Sequence, residues 1–448
     1  MINNRSSGLF YSLFHPWIIC SIGMLFYCYN YFLRVSPSVM QADLMQGLHI
    51  TASQFGTLAG FYYFIYTPMQ VPAGMIYDRF GARFVQFVAC LTAALGVGLF
   101  ISADTLTMAY AGRFLIGLGT AFAYIGVLKL ASVWLPPNRF AMVAGLTTAF
   151  GMFSAIFSVE YLTKFVQTVG YKNALHTALI IGVVLSVCIL LFMRSKPKNQ
   201  LANVKIHRSP ANLKEMFAAL WVVLKKPQMW LIGIIGCLFY LPASVFLDVW
   251  GIPYLKAVYQ ITPEQAASAV TMAFIGWIIA GPTIGALSDK IKRRRLPLII
   301  SSLMATLLIS AIFYVPGLSL NTLYVLFFLV GVFCGAHPLC FALGKENCPN
   351  EISGTAVAVT NTLIMCGGMI FHPLVGKLLD GHAVNIQMVN GIPIYSASDY
   401  NYALTLVPVG LAISIVLSFF LKETYCQSRV PQKPKLELVT NNNLAFEQ

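Results

Sequence analysis

Charge is what this sequence has least of: Asp, Glu, Lys and Arg make up 10% of 448 residues, against 58% hydrophobic residues and a mean hydropathy of +0.74. So few charges cannot clothe a soluble globule of this length, and the composition is that of an integral membrane protein. Short alternating segments of the kind that build barrel strands are lacking, whereas apolar runs of about 20 residues recur from end to end, so the spans are read as helices. Paired cysteines are lacking too. The ten cysteines lie singly, mostly inside apolar segments, with no CxxC and no zinc spacing, and are read as reduced packing residues. MINNRSSGLFYSLFHP has no small-residue cleavage site before the first apolar run, so the first helix is expected to stay in the protein. No activated nucleophile, metal cluster or phosphate-binding loop is recognisable, which sets aside an enzyme or an ATP-driven pump; no cofactor and no metal are expected.

What is present is a count of twelve spans, placed at 17–42, 53–77, 84–102, 106–135, 140–168, 173–194, 228–256, 264–288, 297–315, 321–346, 352–378 and 402–421. With both termini on one side, 22 of the 29 Lys and Arg fall on that side. Lys164, Lys172, Lys256 and Lys377 fall on the other, and Arg34, Arg113 and Lys129 fall within spans. This positive-inside asymmetry makes both termini cytoplasmic and explains the net charge of +14 by topology and lipid headgroup contact rather than by nucleic acid. The basic break RSKPKNQLANVKIHRSPANLKEMFAALWVVLKKP, with an amphipathic helix expected over Ala211–Leu224, divides the chain. The expected units are an N-terminal six-helix bundle (1–194), a cytoplasmic central loop (195–227), a C-terminal six-helix bundle (228–421) and a cytoplasmic tail (422–448).

The halves repeat. GMIYDRFGAR (Gly74 to Arg83) closes the second span and GALSDKIKRR (Gly285 to Arg294) the eighth, at an offset of 211 residues; RFLIGLG (from Arg113) in the fourth span matches FFLVGVF (from Phe327) in the tenth at 214. These residues resemble the major facilitator superfamily, whose loop between helices two and three carries a G-x-x-x-D-R-x-G-x-R signature. Gly74, Asp78, Arg79, Gly81 and Arg83 match it, and the second copy keeps Gly285, Asp289, Lys290 and Arg294. The resemblance implies an all-α fold of twelve transmembrane helices in two six-helix bundles that rock about a central site, with these motifs as a gating latch. On physical grounds Gly74 is expected to permit close helix approach and Gly81 a tight turn. Asp78 is expected to meet a helix N-terminus or an arginine across the inner gate.

Within that superfamily, YFLRVSP, FYYFIYTPMQVPAG and GRFLIGLGTAFAYIGVLKLASVWLP resemble the phagosomal amino acid and nucleoside transporters of intracellular bacteria, themselves similar to the lysosomal dipeptide transporters. The likeness informs the substrate, amino acid-like first and nucleoside next. The expectation is a monomeric secondary transporter of a bacterial inner membrane moving a small polar organic solute, with protons as a coupling ion suggested by the two carboxylates Glu160 and Asp248. An organic-anion or siderophore-type exchanger and a solute sensor are the alternatives. Helix five, GLTTAFGMFSAIFSVEY, lacks the proline of the drug:proton antiporter motif. The seventh span lacks the second arginine with which organophosphate antiporters clamp phosphate.

A charge within the bilayer costs at least about 2.5 kcal/mol on insertion scales, so each should face protein, water or solute. Arg34, Arg113, Glu160 and Asp248 all fall by helical rise in the middle or outer half of their spans, a depth at which they could share a cavity. Tyr27, Asn30, Tyr31 and Arg34 share a face of helix one. Arg34 is read either as a fork for a substrate carboxylate or as the partner of Asp248 or Glu160. Arg113, with Gly117 and Gly119, resembles the superfamily's fourth-helix arginine in an RxxxGxG context, which implies coupling or substrate contact; pairing with Glu160 or another polar group is the other reading, while Lys129 is assigned to an inner vestibule. Glu160 and Asp248 are the candidate proton carriers, with His337 and His372 secondary. Tyr63, Tyr66, Gln70, Trp277 and Asn361 complete the candidate substrate contacts, and Trp250 is expected at the outer interfacial belt.

Overall fold

The computed structural model describes residues 4–136, 139–195, 213–349, 352–383, 387–389 and 392–427. They fold as helices α1 (Asn4–Val39), α2 (Gln41–Leu48), α3 (Ala52–Phe80), α4 (Ala82–Ile101), α5 (Leu106–Thr120), α6 (Ala123–Trp134), α7 (Phe140–Val169), α8 (Tyr171–Phe192) and α9 (Leu213–Leu224). The second half follows with α10 (Pro227–Phe239), a π-helical stretch (Pro242–Trp250), α11 (Gly251–Tyr259), α12 (Pro263–Ile291), α13 (Arg295–Tyr314), α14 (Leu320–Cys334), α15 (Leu339–Glu346), α16 (Ser353–His382), α17 (Ala397–Leu404) and α18 (Leu406–Ser418). Between α16 and α17 a small antiparallel hairpin pairs Gln387 with Ile394. Among the described residues, eleven spans are long and apolar enough to cross a membrane. The twelfth membrane-length helix, α3, runs 29 residues but carries Tyr62, Tyr63, Tyr66, Thr67 and Gln70, which lower its hydropathy because they face protein.

Local signals set the helix starts, and they repeat like the motifs. Thr51 and Gln54 form a capping box at the head of α3, and Thr262 and Gln265 form one at the head of α12, 211 residues on. Thr105 caps α5 and Ser319 caps α14, 214 residues on. The fourth span of each half is interrupted at the same offset, after Thr120 and after Cys334. Duplication is thus written in caps and breaks as well as in the loops.

The halves meet most closely where α3 lies along α16. A Cβ at Gly56 would stand 2.3 Å from the His372 carbonyl oxygen, and one at Gly376 2.2 Å from that of Ala52, so glycine at both positions permits the backbone approach. The first span lies where expected, at Pro16–Val39, within a helix that extends back to Asn4. Two expectations need correction. The last span begins at Ala397 rather than 402, because Ser396 and Asp399 form a capping box there. Trp250 is not in an interfacial belt: it ends the π-helical stretch fully buried, its ring edge-on to Phe55 at 5.4 Å. Of the expected amphipathic helix, Leu213–Leu224 is observed; residues 196–212 and 428–448, with their basic side chains, lie outside the described residues.

Candidate functional site

Helix one carries a proline, Pro37, near its end. Pro37 has no N–H to give the carbonyl four residues back, so Leu33 O is free, and it accepts from Arg113 Nη1 at 3.0 Å and from Ser36 Oγ at 3.0 Å. Arg113 on α5 is thereby tied to α1 and lies 5.3 Å from the Tyr62 ring centroid. Its Nε has no partner, and Glu160 does not reach it: no ion pair joins them among the described residues.

The next residue after Leu33, Arg34, reaches into the opposite half. Its Nε donates to Asp248 Oδ2 at 2.8 Å, Nη2 lies 2.7 Å from the same oxygen, and Nη2 donates to Tyr240 OH at 2.9 Å. Tyr63 OH donates to Asp248 Oδ2 at 3.3 Å. The rings of Tyr31, Tyr63 and Tyr240 surround the guanidinium at 5.3, 5.3 and 5.7 Å. Side-chain exposure is 4% for Arg34 and 3% for Asp248, so this is a desolvated ion pair, kept by its extra hydrogen bonds. The π-helical stretch, which places Asp248, is a form that recurs at functional sites.

The remaining predicted residues spread outward from this centre. Tyr27 packs against Tyr31 and Tyr124, each with ring centroids 5.2 Å away, and Tyr66 stacks on Tyr62 at 5.3 Å. Asn30 accepts from Tyr62 OH at 2.5 Å. Trp277 lies edge-on to Tyr240 at 5.8 Å. Gln70 bridges: its Nε2 donates to Ala121 O at 3.3 Å, a carbonyl at the break between α5 and α6, and its Oε1 accepts from Asn361 Nδ2 at 3.2 Å. Tyr77 OH donates to the next carbonyl at that break, Phe122 O, at 2.8 Å. Glu160 stands apart, on α7 turned about 100° from the buried Val159 and in electrostatic contact with Tyr324 of α14. The buried charges therefore do not share one cavity: Arg34, Asp248 and Arg113 cluster, and Glu160 does not.

Sequence reasoning missed Tyr240, the third ligand of the Arg34 network; its only signal is its place one step before the Leu-Pro that opens the π-helical stretch. His337, at the break between α14 and α15, stacks on Tyr240 at 4.5 Å with Nε2 unpartnered. His372 is fully buried, its ring 5.5 Å from Tyr63. Among the described residues no group of three or more His, Cys, Asp or Glu is placed to hold a metal ion.

The signature loops behave differently from expectation. Gly81 takes φ +79, the turn its position requires, but a Cβ at Gly74 or Gly285 would meet nothing within 4 Å, so neither glycine marks a close approach here. Asp78 pairs with Lys129 of its own half rather than with an arginine across the gate. Arg83 donates from Nε to Leu190 O at 2.9 Å and from its backbone to Ser195 Oγ at 3.1 Å, while Arg79 lies over the Phe80 ring at 5.3 Å. In the second copy Arg294 pairs with Asp289 at 2.7 Å and Glu346 at 2.8 Å, and Lys290 is exposed. At the other end the halves are joined. Asp380 of α16 accepts from Thr51 Oγ1 at 2.7 Å and Ser53 N at 2.9 Å, and from Tyr395 OH, whose oxygen accepts from Ala52 N at 3.0 Å. The α3 N-terminus is thus capped by the other half.

Repeated helical halves around a buried, hydrogen-bonded charge network define a polytopic transporter. The chain belongs to the Major Facilitator Superfamily, whose family model matches residues 20–373. It is 29% identical to "Uncharacterized transporter YybO" of Bacillus subtilis, over 38% of this chain and 39% of that protein, so the match spans about two fifths of that relative. It is 22% identical to "Probable anion transporter 7" of Oryza sativa subsp. japonica over 82% of this chain and 89% of that one, and 22% identical to a "Putative tartrate transporter" of Agrobacterium vitis over 84% and 90%. The fold is similar, with a TM-score of 0.71 at 14% identity over 91% of this chain and 97% of the other, to a bacterial homolog of the human lysosomal transporter Spinster in an inward-facing and occupied conformation.

Proposed function

We propose that this protein moves a small organic anion, bound through a carboxylate, across the membrane by alternating access. The observation that carries the reading is the Arg34–Asp248 pair. It joins the first span of each half, and beside it Arg113 supplies a buried cation that no described carboxylate neutralises. The cluster therefore holds two cationic side chains and one acidic one, and an incoming carboxylate balances the remainder. Substrate carboxylate and Asp248 compete for the same guanidinium fork; a proton on Asp248 would release Arg34, which makes proton coupling the natural partner of anion binding. The tyrosines around Arg34 cover the apolar part of the solute. Relatives named for anion and tartrate transport favour an organic acid over the amino acid-like or nucleoside substrate that the sequence resemblance suggests.

In this reading units 1–194 and 228–421 rock against each other about that network, in a bacterial inner membrane with both termini cytoplasmic. The signature end is then cytoplasmic and the Asp380 clasp outer. The molecule is monomeric, and an outer end joined by the Asp380 clasp, with the signature loops' described ion pairs kept within each half, fits an inward-facing state. A thermal-shift screen of the purified protein against tartrate, succinate, D-glucarate, amino acids, dipeptides and nucleosides tests the reading. Organic acids are expected to raise the melting temperature of wild type much more than that of R34A, with R34K intermediate because a point charge cannot fork. Stabilisation by amino acids or nucleosides but not by organic acids would overturn it.

A further inference from the structure

A crevice of about 390 Å³ lies at the end opposite the signature loops, lined among others by Ser38, Asp43, Thr163, Gln167, Ile252 and Lys256. Its position follows from helix arithmetic. Ser38 is four residues beyond Arg34 and Ile252 four beyond Asp248, so the crevice begins one turn, about 6 Å, above the closed ion pair. Lys256 is eight residues, about 12 Å of helix, beyond Asp248. The volume suits a small solute.

The charges of the crevice mirror those of the layer beneath. Below, the cation stands on the first span and the carboxylate on the seventh. Above, the carboxylate, Asp43 of α2, follows the first span, and the cation, Lys256 of α11, ends the seventh. The lower pair has closed to 2.7 Å, whereas Asp43 and Lys256 feel each other electrostatically without forming an ion pair among the described residues. Asp43 is held above the usual carboxylate range by burial, against the pull of Lys256. Lys256 itself is exposed, so its charge is open to an arriving anion.

We propose that this crevice is a loading site, in which Lys256 takes the carboxylate of the transported anion while the Arg34–Asp248 pair below it is closed. The assignment rests on the organic-anion reading and adds to it a second binding position and an order of events. The anion meets Lys256 first and passes to Arg34, about two turns deeper, when the halves part. Asp43 keeps the upper cation from holding the solute too long.

The test reads the crevice without transport. A42C places a thiol on an exposed crevice residue of the full-length protein, and Q167C is the second position should A42C fold poorly. Its reactivity toward sulfonatoethyl methanethiosulfonate, relative to the trimethylammonium analogue, is measured over the wild-type background. K256Q should lower the anion-to-cation ratio about threefold, K256R should restore it, and D43N should raise it by a similar factor, all less so at high salt. Tartrate should slow labelling in A42C and equally in A42C/R34A, because the crevice binds independently of the central arginine. Ratios indifferent to K256Q and D43N would overturn the proposal. So would tartrate protection that vanishes with R34A, or its absence in a protein that organic acids stabilise. If organic acids neither stabilise nor protect the protein, the central reading falls and this one falls with it.

Discussion

The two ends of the molecule hold their charges in opposite ways. At the end away from the signature loops, polar groups reach across the halves: Arg34 to Asp248, Thr51 and Ser53 to Asp380, Ala52 to Tyr395, Gln41 to Tyr400 at 3.4 Å. At the signature end the described ion pairs stay within a half: Asp78 with Lys129, Arg294 with Asp289 and Glu346. The two intra-half links are also reversed in sign. In the first copy the loop contributes the acid and the fourth span the cation; in the second the loop contributes the cation and Glu346, closing the fourth span, the acid. Identical motifs in sequence therefore need not make identical contacts, because the pairing is decided by whichever complementary charge the neighbouring span offers. The closed end is held by bonds between the halves, whereas the described ion pairs of the signature end lie within a half.

The largest break in that comparison comes from the buried pair. Asp248→Ala leaves the Arg34 charge desolvated without its carboxylate and should cost about 3–5 kcal/mol of stability, read in a denaturation series in detergent. The double variant R34M/D248L removes both charges and should recover most of that loss while losing organic-acid binding at the central site. If the double variant is as unstable as the single one, the pair's hydrogen-bonded geometry matters more than its charge balance. Next in size is the Asp380 clasp. Asp380→Ala removes the acceptor of Thr51 Oγ1, Ser53 N and Tyr395 OH at once, bonds to a carboxylate worth about 1.5–3 kcal/mol each in general. Even one such increment shifts a two-state equilibrium about tenfold toward parting at this end. Faster hydrogen exchange at residues 51–55, with the signature end unchanged, is the expected signal. Equal acceleration at both ends would mean that the variant loosens the fold rather than the gate.

Much of this layout is legible from sequence alone, for definite reasons. Apolar runs report spans directly, and the two offsets report duplication, which the caps at Thr51 and Thr262 and at Thr105 and Ser319 then repeat. The Arg34–Asp248 pair was one of two open readings, since burial demands that each charge have a partner but cannot choose among partners. Glu160 shows the limit: rise along a helix gives its depth, yet its azimuth on α7 points it to Tyr324. Tyr240 and Asp380 escaped notice because a tyrosine in an apolar run and an aspartate at a span's end carry no local signal of what they meet across the molecule. Gly74 misled for another reason. A small residue permits close approach, but which conformation uses the permission is not encoded locally.

The smallest expected effect lies at the signature end and sharpens the comparison most. Side chains of Lys129 and Asp78 are 35% and 49% exposed, so Lys129→Ala should change stability by no more than about 1 kcal/mol. Glu346→Ala should cost more, since the Arg294 side chain is only 10% exposed and would lose two of its contacts at once. The two variants thus separate an exposed intra-half link from a largely buried one in the same structural position. If Lys129 serves only its own half, K129A should leave the rate of solute flux in proteoliposomes close to wild type. A flux reduced well beyond the stability change would instead show that Asp78, freed in the other conformation, takes a partner across the gate, and that the family-type latch forms only after the outer clasp has opened.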